Sequence, residues 1–135
     1  MDDEVRRLQD SFRELEEAAA RCLGHVRDPV LDTATEDGRT LRQLIYGLSD
    51  CYREHMERLL WTKWNQRIPR SESKRALAEL QGLRAQFAAY FTDLRDEQLD
   101  ITGAAAQDAS PRDVILQVLE EERRSMDLIR KTLGR

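Results

Sequence analysis

The chain has only two cysteines, Cys22 and Cys51, both in segments expected to be helical. Its acidic opening, MDDEVRR, has neither the basic region nor the apolar stretch of a secretion signal. A disulfide framework is therefore not expected, and both thiols should be reduced. No apolar run approaches the ~18 residues that span a bilayer. The expectation is a cytosolic protein with no membrane partner. Charge of one sign is also lacking: 22 cations against 26 anions, interspersed, give a formal net charge of -4 and no field that would draw nucleic acid. Motifs that announce a reaction are missing as well. There is no GxSxG, no GxxxxGK and no GxGxxG, so hydrolase and nucleotide chemistry is not indicated.

Six glycines and three prolines are few for 135 residues, while Leu, Ala, Glu and Arg are abundant, which favours long amphipathic helices over sheets. A length near ~150 residues suits a single domain, here residues 1–135. Disorder does not fit, because the apolar residues recur with a helical period.

Four segments carry that period. Val5, Leu8, Phe12, Leu15, Ala19, Cys22 and Val26 advance in steps of three and four, with Asp2, Asp3 and Glu4 at the positive end of the helix dipole. Pro29 in RDP should end this helix. VLDTATEDGR then reads as a connection across the end of a bundle. Thr40 and Gln43 in TLRQ form a capping-box signature for a second helix. Its inner stripe is Leu41, Leu44, Leu48, Cys51, His55 and Leu59, and it could run to Trp64 before NQRIPRS breaks it. Ser71 or Ser73 can cap a third helix with the stripe Leu77, Leu80, Leu83, Phe87, Tyr90 and Leu94. RDEQLDITGAAAQDA is a further connection, with Leu99 and Ile101 as residues that could fold back onto the bundle. SPRD opens the fourth helix, with Ser110 as cap, Pro111 at the first helical position and Asp113 near the positive end. Four such segments and no alternating β-branched runs give an all-α fold, a four-helix bundle.

The fourth helix holds a conflict. One stripe reads Val114, Val118, Glu121, Ser125 and Leu128, and its neighbour reads Ile115, Leu119, Glu122, Met126, Ile129 and Leu133. At least one glutamate should approach the core, where a bare charge costs several kcal/mol unless it is paired or protonated. Cys51 and His55 on the second helix are the expected neighbours. Which of Glu121 and Glu122 faces inward is left open by the periodicity.

TLRQLIYGLSDCYREHMERLL resembles the second helix of the DinB-like four-helix proteins. LAELQGLRAQFAAYFTDLRDEQLD and SPRDVILQVLEEERRSMDLIR are similar to the third and fourth. Many members of that superfamily bind a divalent metal through one histidine on the second helix and two, four apart, on the fourth, and some use it for thiol-transfer or isomerase chemistry. By matching phrases these ligands fall at Gly47, Glu121 and Ser125, and none is histidine here. Only Glu121 keeps coordinating ability. A register shifted by four would put Cys51 at the first position, yet leaves the fourth helix without histidine.

The resemblance thus implies a DinB-like domain without the usual metal triad, with no cofactor expected, acting as a ligand-binding or protein-interaction module. Family resemblance and the paired tryptophans Trp61 and Trp64 also raise a homodimer, with those two indoles as interface residues. The alternative is a zinc- or nickel-dependent thiol transferase or isomerase with a site rebuilt from Cys51, His55 and Glu121, or a metal-free catalyst using His55 with Glu121 or Glu122 as acid and base. Against both stands a structural reading, in which Cys51 is a small buried apolar group and His55 satisfies a carboxylate. Cys22 and His25 in CLGH, one turn apart, could supply two ligands but lack a second pair. Lys63, Arg67, Arg70, Lys74 and Arg75 crowd one connection, where a solvated loop competes with anion binding.

Overall fold

A computed structural model describes residues 2–60, 76–101 and 109–134. It contains four α-helices: α1 (Asp3–Leu23), α2 (Leu41–Leu60), α3 (Ala76–Tyr90) and α4 (Pro111–Leu133). Short 3-10 helices span Asp28–Asp32 and Asp96–Asp100. The expected four-helix bundle is the fold. Trp61, Trp64, Ser71, Ser73 and the basic residues from Lys63 to Arg75 lie outside the described residues.

The expected starts of α2 and α4 form as read. The Thr40 amide donates to Gln43 Oε1 at 2.9 Å and the Gln43 amide donates to Thr40 Oγ1 at 3.1 Å, closing the capping box. Ser110 Oγ accepts from the Asp113 amide at 3.2 Å, with Pro111 in the first turn. The start of α1 is organised differently. Its amides at Glu4 and Val5 donate to the Asp96 carboxylate at 3.2 and 2.9 Å, and the Asp96 amide donates back to Asp2 Oδ2 at 2.7 Å. A residue more than ninety positions away therefore caps α1. The same helix stops at Leu23, ahead of Pro29, because glycine at position 24 weakens helix continuation.

The end-to-end contacts fix the helix directions. Arg112, at the start of α4, pairs with Glu4 at the start of α1 at 2.6 Å, so these helices run parallel. Asp96, just past α3, meets the start of α1, so α3 runs opposite to α1. Lys131 near the end of α4 reaches Glu36 ahead of α2 at 3.0 Å, so α2 opposes α4. The order is up-down-down-up. Helix α2 packs on α3 and α4, and α1 packs on the same two, leaving α1 and α2 on one diagonal. Gly38, at φ 90°, makes the reversal that pairs Ala34 with Thr40 in a single antiparallel bridge between α1 and α2.

The core centres on Phe12, Tyr52, Phe87 and Phe91, each essentially inaccessible to solvent. Phe12 and Phe87 meet edge to face at 4.8 Å and Phe87 meets Phe91 at 5.4 Å. Each such ring contributes about 1.5–3 kcal/mol by burial. The inner faces differ in detail from the sequence stripes. On α2, Tyr52 and Met56 point inward while Cys51 is only half-buried at the edge. On α3, Leu77 and Tyr90 are half-buried, and Arg84 is buried in their place. That helix ends at Tyr90, so Leu94 is buried from the following turn. Leu99 folds back fully, whereas Ile101 is exposed.

Candidate functional site

Successive α4 residues point about 100° apart, so Glu121 and Glu122 face different surroundings. Glu122 is wholly buried. Arg84 of α3 grips it with two hydrogen bonds, Nε to Oε1 at 2.5 Å and Nη2 to Oε2 at 2.8 Å, and the Tyr52 hydroxyl of α2 donates to Oε1 at 2.8 Å. The carboxylate is thus satisfied from two helices, as a buried charge must be. Burial disfavours the Arg84 charge, but Glu122 more than offsets this and holds the guanidinium's proton affinity above its usual value. Burial also lifts the Tyr52 phenol well above the ordinary range, helped by the Glu122 charge. Tyr52 therefore stays a hydrogen-bond donor. Ser49, also wholly buried on α2, has no hydrogen-bond partner for its hydroxyl among the described residues.

Glu121 lies at the α2–α4 seam, and there the expected neighbours meet it. His55 Nε2 is 3.1 Å from Glu121 Oε2, and His55 Nδ1 is 3.3 Å from Arg58 Nη1. Arg58 can only donate, so neutral His55 carries its ring proton on Nε2 and gives that hydrogen bond to Glu121. Arg58 also donates to Gln117 Oε1 at 3.2 Å, tying the cluster to α4. The Cys51 thiol is pushed up to about 12, first by burial, then by its hydrogen bond to Glu121 and that group's charge. It is a thiol, not a nucleophilic thiolate, across the physiological range. Glu121, not Glu122, is the partner of His55. Glu122 takes Arg84 and Tyr52 instead, a pairing with no counterpart among the sequence candidates.

A cleft of about 300 Å³ opens beside this cluster, and its walls include Gly47, Cys51, Glu121 and Ser125. The three positions that the resemblance assigns to metal ligands therefore converge on one cleft. A Cβ at Gly47 would meet the Arg39 guanidinium at 3.8 Å, an ordinary contact distance, so a side chain can start there without a clash. Arg39 is held at the rim by Asp37, through Nε at 3.0 Å and Nη2 at 2.6 Å, and these bonds keep the Asp37 carboxyl well below the usual carboxylate range.

The residues present fit a divalent ion poorly. A three-ligand site needs a thiolate, an imidazole lone pair and a carboxylate directed at one point. Cys51 holds its proton, the His55 Nδ1 lone pair accepts from Arg58, and Nε2 is spent on Glu121 itself. Among the described residues no group of three or more His, Cys, Asp or Glu side chains is arranged to hold a metal. Cys22 and His25 do not form a pair facing one site either, since Cys22 is buried and His25 exposed. Among the described residues no helix is long and apolar enough to cross a membrane. Comparison with known proteins gives no match to a family model, a curated protein or a solved structure.

Proposed function

We propose that the chain is a DinB-like, cytosolic, non-catalytic binding module in which the cleft between α2 and α4 is a metal site that has lost its histidines. The observation that carries this reading is the convergence of Gly47, Glu121 and Ser125 on that one cleft, with glycine and serine where ligands would stand. The chemistry of the neighbours agrees with it. Cys51 and His55 serve Glu121 as a hydrogen-bonded cluster, which satisfies a half-buried carboxylate and leaves no spare donor for catalysis. The test is elemental analysis of untagged protein from cells supplied with zinc, nickel and iron. Metal well below one equivalent is expected, and one equivalent would sink the reading.

A second reading draws on the contact of Glu121 with both Cys51 and His55: a metal-dependent thiol transferase or isomerase on that trio, or a metal-free acid and base pair at His55. Metal that binds at one equivalent and is lost in Cys51→Ala and His55→Ala would establish its metal-dependent form. Self-association through Trp61 and Trp64 belongs to the binding reading, and Trp61→Ser/Trp64→Ser should then lower the solution mass from dimer to monomer.

A further inference from the structure

On the opposite side of the bundle, α1 and α3 pack more sparsely than α2 packs on α3, and a cleft of about 380 Å³ lies along their seam. Ala19, Ala20, Leu23 and Leu77 give it an apolar wall, while Glu16 and Arg84 supply its polar end. The two charges there are unequally provided for. Arg84 already has the Glu122 carboxylate on two of its nitrogens. Glu16 is half-buried, and neither a hydrogen bond nor an ion pair reaches its carboxyl among the described residues. Glu17 beside it adds like charge, and Arg13 on the rim is shared with Asp10 at 3.5 Å. Burial raises the proton affinity of Glu16, with attraction from Arg84 and Arg13 opposed by repulsion from Glu122 and Glu17.

We infer that this cleft binds a small primary ammonium ion with a short apolar tail, the Glu16 carboxylate being its counter-charge and the Ala20, Leu23 and Leu77 surface receiving its tail. An entering ammonium supplies a direct ion pair to Glu16, which none of the described residues makes. An anion is disfavoured, because it would have to compete with Glu122 for Arg84 and break a satisfied buried pair. A neutral apolar molecule is disfavoured too, since it would strip water from Glu16 without replacing it. The inference adds a ligand class to the binding-module reading and depends on no metal position.

The test is titration of isotope-labelled full chain with n-butylammonium chloride at pH 7.5, read by amide chemical shifts, with butyrate and butanol as controls. Saturable shifts are expected at Ala19, Ala20, Leu23 and Leu77 for butylammonium alone. Glu16→Gln should weaken binding by about tenfold or more, the usual weight of a charge-assisted contact. Ala20→Trp, which fills the cleft from its rim, should abolish binding and decides the matter if Glu16→Gln loses its fold. The inference is overturned by saturable butyrate binding in the cleft, by no saturable response to butylammonium, or by equal affinity in Glu16→Gln. Failure here leaves the retired metal cleft standing, and a metal found there leaves the ammonium site standing.

Discussion

Glu121 and Glu122 are adjacent on α4, yet one joins a network at a cleft edge and the other a network in the dry centre. Glu122 meets a cation and a phenol from two helices and has no contact with solvent. Glu121 keeps about a fifth of its side chain exposed and is held by a histidine and a thiol from α2 alone. The contrast separates what each network is for. The central one binds three helices in one register at the cost of desolvating an ion pair. The edge one joins a buried histidine to a carboxylate that lines an opening.

The largest effect should come from halving the central pair. Glu122→Ala or Arg84→Ala leaves a buried charge without its partner and should lower stability by about 3–5 kcal/mol in urea unfolding. Arg84→Met with Glu122→Leu removes both charges and should recover most of that loss. A double variant as unstable as the singles would show that the pair contributes net stability. Tyr52→Phe keeps the Arg84 grip and should cost about 1.5 kcal/mol, the weight of one hydrogen bond to a charged group. At the edge, Glu121→Gln should cost roughly 1 kcal/mol. An edge substitution as damaging as Glu122→Ala would erase the distinction between the two networks.

Smaller effects follow from proton affinities. The unfolded Cys51 thiol ionises near 9.0 and the folded one near 12, so the folded chain holds more protons between these values and stability should fall as pH rises through that window. In a Cys22→Ala background, alkylation of Cys51 at pH 8 should be on the order of a thousandfold slower than that of an ordinary thiol. Ordinary reactivity would mean that the thiol is not held by Glu121. Glu16 obeys the same sign. Its raised affinity means that stability declines as pH climbs above 4.5 toward the folded value, and Glu16→Gln should slightly stabilise the protein at pH 7.

Much of this fold was legible in the chain. Thr40 with Gln43, and Ser110 with Pro111, are local signals that need only their own backbone, and both caps form. The pairing of His55 with a glutamate also followed from two inner-face polar groups that each required a partner. Arg84 was hidden for the opposite reason. In a polar and apolar pattern an arginine beside Leu83 reads as surface, and only its reach across the bundle interior, between the diagonal helices α3 and α4, brings it to Glu122. A small rotation of a helix moves a residue such as Cys51 from core to edge, and stripe spacing does not resolve it. Asp96 capping α1 leaves no local trace, because its partners lie more than ninety residues away.

The most direct test of the proposed retired metal site is to supply the three histidines that the resemblance implies. Zinc and nickel titrated calorimetrically into the native chain should bind well below one equivalent, while Gly47→His/Glu121→His/Ser125→His should bind close to one, since a Cβ at Gly47 meets no clash. One tight equivalent in the native chain, or none in the triple variant while it keeps its helical fold, would contradict that assignment.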